Sequence, residues 1–133
     1  MGGLARPGLS DNDLRLIVSA SEPLYSDIQN TWMSEFRHPA EHIHMSGQTE
    51  TSGIVSLCRL TGSDVSGDVR AVPVGMPIAD TEILLLGDDL MPVGDGERGE
   101  LYVRGAGIGR GYLGQDELKA EKFGELQING EPK

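Results

Sequence analysis

Apolar positions in the first half of the chain follow the pattern of a strand, a helix and a second strand. The run Leu14–Ser19 is short and rich in branched side chains, which is typical of a strand buried on both faces in a parallel sheet. After Pro23, apolar side chains recur every four positions and predict an amphipathic helix that ends before the His38-Pro39 pair. This stripe consists of Leu24, Ile28, Trp32 and Phe36. A second short strand, Glu41–Met45, completes a βαβ unit.

The second half of the chain has a different pattern, with short strands separated by polar, glycine-rich turns. Leu101 and Val103 alternate with Glu100, Tyr102 and Arg104, as in a strand with one apolar face. This alternation, together with the turn residues, predicts antiparallel pairing. The predicted elements are strands at Ile54–Leu60, Thr81–Leu86 and Gly99–Gly105, turns at 87–89 and 94–99, a helix at Gln115–Phe123, and the beginning of a hairpin at 124–133.

Composition and charge narrow the class of protein. The 133 residues carry a formal net charge of -10, which argues against a general affinity for nucleic acid or for anionic membranes. The single cysteine, Cys58, excludes an internal disulfide and fits a reducing compartment. No apolar run approaches the ~18 residues of a membrane span, and the N-terminus lacks a signal-peptide pattern. We therefore expect a soluble, cytoplasmic chain.

The segment HMSGQTETSG, His44–Gly53, is the clearest candidate for chemistry. It combines small residues with an adjacent hydroxyl and carboxylate, Thr49 and Glu50, in what the pattern predicts to be a loop after a strand. Ligands of α/β sheets bind at the carboxyl ends of strands, and a Thr-Glu pair could hold phosphate oxygens and a bridging Mg²⁺. In the other interpretation, Thr49 or Ser46 caps a turn and Glu50 is simply solvated. The spacing leaves both interpretations open.

Two sequence blocks resemble the adenylate-forming (AMP-binding) superfamily. They are SGQTETSG and PVGMPIADTEILLLGDDLMPVGDGERGELYVRGAGIGRGYLGQDELKAEKF. The chain is most similar to the adenylation domains of nonribosomal peptide synthetases, with acyl-CoA synthetases and luciferases as relatives. The resemblance extends from about Leu14 to Phe123 but covers only a quarter or so of a complete domain.

The resemblance implies an α/β fold: the end of an α/β (βαβ) subdomain followed by a small distorted antiparallel β-barrel. We divide the chain into a leader or linker at 1–12, part of the AMP-binding subdomain at 13–67, and a truncated barrel-like subdomain at 68–133. The implied activity is ATP-dependent activation of a carboxylic or amino acid as acyl-AMP, followed by transfer to a carrier-protein thiol. ATP and Mg²⁺ are the implied cofactors. The remaining adenylation-domain segments and the carrier protein are the implied partners.

The family motif Tyr-Gly-x-Thr-Glu assigns roles to individual positions. By this match Thr49 contacts phosphate and Glu50 holds Mg²⁺, and these two are the implied catalytic residues. The implied nucleotide-binding residues are Ser19, Ala20, Ser21, His44, Met45, Ser46, Gly47 and Thr49. The implied acyl-pocket residues are Ile17, Ser19, Met45, Gly53 and Ile54.

The chain departs from the family pattern at several positions. Ser46 replaces the aromatic residue that stacks on adenine, which could cost about 1–3 kcal/mol of base affinity. Ala20-Ser21-Glu22 replaces the usual Gly-Gly-Glu. The chain also lacks the phosphate loop, the ribose-binding Asp and the C-terminal lid, so we expect it to be inactive alone. One alternative is therefore a catalytically inactive remnant that serves as a scaffold or docking piece in a larger synthetase. A second is an acyl-CoA synthetase-like fragment, suggested by Gln48 where peptide-synthetase domains carry proline.

Two further patterns have less specific meaning. GAGIGRG, Gly105–Gly111, lacks dinucleotide-loop spacing and a following βαβ unit, and the resemblance implies that it belongs to the barrel scaffold. His42 and His44 point to one face of their strand, with His38 and Glu41 near in sequence. A metal site needs three or four converging ligands, so a strand with polar residues is the simpler interpretation.

Overall fold

The computed structural model describes residues 13–36, 38–60, 68–125, 127–128 and 131–132. The predicted leader and most of the polar turn after residue 61 lie outside the described residues. The strands are β1 (Leu16–Ser19), β2 (Glu41–Gln48), β3 (Gly53–Leu60), β4 (Met76–Pro77), β5 (Thr81–Leu86), β6 (Glu100–Gly105), β7 (Gln127–Ile128) and β8 (Glu131–Pro132). The helices are α1 (Ser26–Thr31), which continues as a π-helical turn (Trp32–Phe36), a single 3₁₀ turn (Thr49–Thr51), and α2 (Asp116–Lys122).

The first four strands form one sheet in the order β1-β2-β3-β4. β1 and β2 are parallel, with Ile17 opposite His42 and Ser19 opposite His44, and α1 connects them, which confirms the predicted βαβ unit. β2 and β3 are joined by only four residues, a connection that allows antiparallel pairing alone. The Thr-Glu pair therefore lies at a hairpin tip, immediately after the carboxyl end of β2.

Helix α1 presents the polar residues Ser26 and Gln29 to the protein, a feature that the apolar stripe in the sequence did not indicate. Leu24 is 7% exposed, but Ile28 is 55% exposed, and the buried helical residues are Ser26 and Gln29. Ser26 donates from its backbone N–H to Arg70 O (2.9 Å) and accepts at Oγ from Arg70 N–H (3.1 Å). Buried polar groups are stable where such partners exist, and periodicity alone cannot reveal those partners.

The sequence predicted that the first strand is buried on both faces. In the structure, β1 instead lies at the edge of the sheet. Leu16 and Val18 are 44% and 47% exposed, whereas Ile17 and Ser19 are partly buried. Among the described residues β2 is the sole strand neighbour of β1, so one edge of β1 has no strand partner in this part of the chain. At the other side of the sheet, Gly75 allows close approach, because a Cβ there would lie 1.9 Å from Leu57 O.

The second half of the chain is antiparallel, as predicted. β5 pairs with β6, placing Ile83 opposite Val103, and β7 pairs with β8. Between β5 and β6 the chain makes two turns, one closed by Leu90 N–H to Gly87 O and the other by Glu97 N–H to Gly94 O. The hydrophobic anchor of this half is Leu86, which is fully buried.

By their contacts the described residues divide into two compact units. Unit 1 takes the described parts of Met1–Gly47 and Ser56–Met76, and unit 2 those of Gln48–Val55 and Pro77–Lys133. The Thr-Glu turn therefore belongs to the same unit as β5, β6 and α2, although it follows β2 in the chain. Within the described part of the chain, no helix has the length and apolarity needed to cross a membrane.

The isolated chain is expected to self-associate or to require a partner, because β1 carries exposed leucine and valine side chains and one of its edges has no strand partner among the residues described. Replacing Leu16 and Val18 by threonine should weaken association at least tenfold, given about 1.5–3 kcal/mol for burying each aliphatic side chain. Sedimentation velocity measures the change. Leu113→Thr, at a fully exposed loop position, is the control. A wild-type chain that sediments as a monomer and melts cooperatively would contradict the expectation.

Candidate functional site

The Thr-Glu pair lies in a tight turn that is shorter than the sequence predicted. The predicted loop began at His44, but β2 continues through Gln48 and only Thr49–Thr51 form the 3₁₀ turn. Ser52 then adopts a left-handed conformation (φ 55°), and Gly53 (φ 116°) begins β3. Thr49 is exposed and Glu50 is partly exposed. The turn thus places a hydroxyl and a carboxylate at the surface.

Thr51 closes this turn, a role that the capping interpretation had assigned to Thr49 or Ser46. The buried Thr51 Oγ1 accepts a hydrogen bond from Gln48 N–H (3.2 Å) and can donate to Gln48 O or to Gly53 O, both 2.9 Å away. One hydroxyl therefore ties the end of β2 to the start of β3. Because Thr51 performs the structural task, Thr49 is left available for a ligand.

Glu50 is held by a segment that lies 62 residues later in the chain. The Tyr112 hydroxyl donates to Glu50 Oε1 (2.5 Å), and Gly109 N–H donates to Glu50 O (2.6 Å). The hydrogen bond from Tyr112, followed by a backbone hydrogen bond, lowers the pKa of Glu50 below its usual value despite some desolvation. The same bond raises the pKa of Tyr112. Glu50 is therefore an ionised carboxylate with one oxygen already bonded.

This carboxylate fits Mg²⁺ only with help from a ligand. Among the described residues there is no group of three or more His, Cys, Asp or Glu side chains that could hold a metal ion. Mg²⁺, however, is commonly bound through one or two carboxylates together with substrate phosphates and water. Tyr112 occupies Oε1 of Glu50, which leaves Oε2 as a hard oxygen donor at a partly exposed position. The donor set suits a cation that arrives with a nucleotide.

In unit 1, a chain of hydrogen bonds connects two histidines through Ser19. Ser19 Oγ lies 3.1 Å from His44 Nδ1 and 3.2 Å from His42 Nε2, while His42 Nδ1 contacts Gln29 Oε1. With Nδ1–H of His42 donating to Gln29, its Nε2 must accept from the Ser19 hydroxyl. Ser19 Oγ then accepts from His44 Nδ1–H. Both histidines point to one strand face, as predicted, and Ser19 links them.

Burial lowers the pKa of His42, and the nearby His44 lowers it further. A protonated His42 would direct a second N–H at a Ser19 hydroxyl that already donates to that nitrogen. The neutral form is therefore the one that fits the hydrogen-bond chain. The other two groups considered for a metal have local partners: Glu41 pairs with Arg59, and His38 Nδ1 accepts from Ala40 N–H.

The residues implied for nucleotide and acyl binding lie along these elements. Ile17, Met45, Ser46, Gly53 and Ile54 are partly buried, whereas Ala20, Ser21 and Gly47 are exposed.

Ser21 has a positive φ of 77°, the region that favours glycine. This geometry explains why the resembled family has Gly-Gly-Glu here, and it costs a serine roughly 1–2 kcal/mol.

Comparison with known proteins identifies the family. The model of the family described as "AMP-binding enzyme" matches residues 5–113. The chain belongs to this family of AMP-binding enzymes. Tyrocidine synthase 1 of Brevibacillus parabrevis is 34% identical over 110 residues, which are 83% of this chain and 10% of that relative. The present chain thus spans about a tenth of the length of this relative.

Solved structures agree with the sequence relatives. The N-terminal subdomain of Klebsiella oxytoca NpsA was solved with 3-hydroxybenzoyl-AMSN. Its match covers 88% of the present chain and 29% of the NpsA chain, with a TM-score of 0.77 and 26% sequence identity. An artificially fused adenylation–PCP di-domain of the same organism, NpsA-ThdA, gives a TM-score of 0.77 at 27% identity and covers 89% of this chain and 23% of its own. The chain is therefore part of an adenylation domain of the nonribosomal peptide synthetase type.

Thr51→Val should lower the free energy of unfolding by about 1–3 kcal/mol, because it removes the buried hydroxyl that bonds the backbone groups of Gln48 and Gly53. Thr49→Val, at an exposed position of the same turn, should change it by less than about 0.5 kcal/mol. Urea unfolding at low protein concentration compares the two variants. Equal effects would contradict the division of roles.

Acidification should destabilise the fold through His42. Its pKa is lower in the folded chain than in the unfolded chain, so the unfolded state binds more protons below about pH 6.5. The stabilisation is complete above about 6.5 and is lost as the pH falls toward the folded pKa. Urea midpoints at pH 7.5 and 5.5 should differ less in His42→Gln than in the wild type. His38→Gln, outside this hydrogen-bond chain, is the control and should keep the full difference.

Proposed function

We propose that this chain contributes phosphate- and magnesium-binding residues to an adenylation domain that activates a carboxylic or amino acid. In the proposed reaction, a carboxylate oxygen of the acid attacks the α-phosphorus of ATP, the bond to the bridging oxygen breaks, and pyrophosphate leaves. The acyl-AMP then reacts with a carrier-protein thiol, releasing AMP. The observation that carries this proposal is the surface position of Thr49 and Glu50 in a turn that Thr51 closes independently.

Thr49 and Glu50 have distinct proposed tasks. The exposed Thr49 hydroxyl donates to a phosphate oxygen, and Glu50 offers Oε2 to the cation. A bound Mg²⁺ would neutralise charge that develops on the phosphate oxygens. Because Tyr112 keeps Glu50 ionised, the carboxylate needs no deprotonation before it binds the cation. The chain's own contribution is thus positioning and charge.

We further propose the nucleotide and acyl contacts that the family match implies. Ser19, Ala20, Ser21, His44, Met45, Ser46 and Gly47 contact the nucleotide. Ile17, Ser19, Met45, Gly53 and Ile54 contact the acyl group. Ser19 appears in both sets, and its hydroxyl proton is already directed at His42. A ligand that approaches Ser19 therefore meets mainly an acceptor oxygen, which favours a donor group on the ligand.

The proposed partners are the remaining adenylation-domain segments and a carrier protein. The fused di-domain from Klebsiella oxytoca joins an adenylation domain to a PCP, and we extend this pairing to the present chain. The proposed organisation is a leader at 1–12, the AMP-binding part at 13–67 and a barrel-like part at 68–133. The proposed cofactors are ATP and Mg²⁺, and the proposed compartment is the cytoplasm.

A non-catalytic scaffold is the second candidate function. Ser46 favours it, because a partly buried serine cannot stack on adenine as the family's aromatic residue does. An acyl-CoA synthetase-like activity is a further alternative, and it rests on Gln48, which is exposed at the end of β2. The scaffold predicts no nucleotide chemistry at all, whereas both enzyme candidates predict acyl-AMP formation.

Glu50→Gln should reduce ATP–pyrophosphate exchange about 100-fold, and Thr49→Val about tenfold, because each removes an interaction with the phosphate groups. The assay uses the chain together with the remaining segments of its adenylation domain and a panel of carboxylic and amino acids. Thr51→Ser, which keeps the hydroxyl that closes the turn, is the matched control. Exchange that is absent in the wild type with every acid would instead support the scaffold.

A further inference from the structure

The glycine-rich segment Gly105–Gly111 packs its backbone directly on the Thr49–Thr51 turn. Gly109 N–H donates to Glu50 O at 2.6 Å. A Cβ added at Gly107 would lie 2.8 Å from Thr51 O, and one at Gly109 would lie 3.0 Å from Glu50 O. Both contacts are with backbone atoms, which cannot move aside as a flexible side chain can. A side chain at Gly107 would therefore force the two segments apart, and one at Gly109 would fit only if the Glu50 carbonyl shifted slightly.

Tyr112, immediately after this segment, has its ring and its hydroxyl in separate contacts. The ring packs edge-on against Phe123, with centroids 5.4 Å apart and an interplanar angle of 79°. Phe123 is itself fixed at the end of α2, where its N–H donates to Lys119 O at 2.8 Å. With its ring held in this way, Tyr112 directs its hydroxyl at Glu50 Oε1. The contact is thus supported by two elements.

We propose that Tyr112 is a positioning residue for Glu50, with Gly107 and Gly109 setting the distance between their two segments. By holding Oε1, Tyr112 restricts the rotation of the carboxylate, and we assign the other oxygen, Oε2, to a divalent cation. The cation part rests on the proposed function, whereas the positioning contact does not. The family resemblance assigns the glycine segment to the barrel scaffold. In this proposal the segment also positions Glu50.

Glu50 needs a positioning residue because a glutamate side chain is flexible. A free glutamate side chain has three rotatable bonds, so a lone carboxylate at a turn samples many orientations and binds Mg²⁺ weakly. Hydrogen-bonding partners of a carboxylate ligand orient it, and losing such a partner typically costs 10–100-fold in metal affinity. The charges of Lys122 and Glu121 also affect the pKa of Tyr112, but the hydrogen bond to Glu50 has the largest effect on it.

The test is Tyr112→Phe in the full chain with ¹³C-carboxyl-labelled glutamate, followed by NMR at one fixed pH. Glu50→Gln assigns the Glu50 resonance. We expect Tyr112→Phe to move this resonance and to raise about tenfold the Mn²⁺ concentration that half-broadens it. Tyr102→Phe is the matched control, because the Tyr102 hydroxyl also donates to a glutamate, Glu100, at 3.3 Å. This control should leave both readouts of Glu50 unchanged.

Glycine variants test the second half of the proposal. Gly109→Ala should move the Glu50 resonance in the same direction, whereas Gly124→Ala, where an added Cβ meets nothing within 4 Å, should not. A Glu50 resonance that responds to Tyr112→Phe no more than to Tyr102→Phe overturns the inference. If the resonance moves but Mn²⁺ broadens Glu50 no more than other carboxylates in the wild type, the positioning contact stands and the proposed magnesium role fails.

Discussion

The hydroxyl of Thr51 is the interaction on which the candidate site depends. It bonds backbone groups at both ends of a three-residue turn, so β2 can reverse into β3 without using the side chains of Thr49 and Glu50. Polar side chains at a hairpin tip often form hydrogen bonds with the backbone of the turn itself. Here a third residue, the buried Thr51, closes the turn, so the side chains of Thr49 and Glu50 are not needed for it.

The conformation of this turn is then fixed from outside by backbone packing. Gly109 and Gly107 bring a later segment against the carbonyl groups of Glu50 and Thr51 at distances that leave little room for a Cβ. The same segment ends in Tyr112, whose hydroxyl reaches the Glu50 side chain. Main chain and side chain of Glu50 are therefore held by one continuous stretch. This arrangement gives a glutamate at a surface turn a defined orientation, which a metal ligand requires.

Patterns in the sequence predicted the positions of strands and helices better than they predicted which residues those elements contact. Thr81–Leu86 was predicted with its observed bounds, because alternation and flanking turn residues are local properties. The buried polar face of α1 was not predicted, since a four-residue period identifies an apolar stripe but not the Arg70 backbone and His42 side chain that bond the opposite face. The contact between Glu50 and Tyr112 spans 62 residues, so no local pattern could have predicted it. Its only trace in the sequence was that both residues belong to blocks that resemble one family.

The serine at position 46 carries less weight for function than its rarity in the motif suggests. Losing a stacked aromatic ring could cost about 1–3 kcal/mol, or roughly 5- to 150-fold in affinity for the base. Such a loss weakens nucleotide binding, but it leaves the phosphate groups, where the chemistry occurs, untouched. In the proposed reaction, removing Glu50 or Thr49 would act on the charge that develops in the transition state, which no compensation at the base can restore. The positioned Glu50 therefore favours the proposed adenylation activity more strongly than Ser46 favours the non-catalytic scaffold.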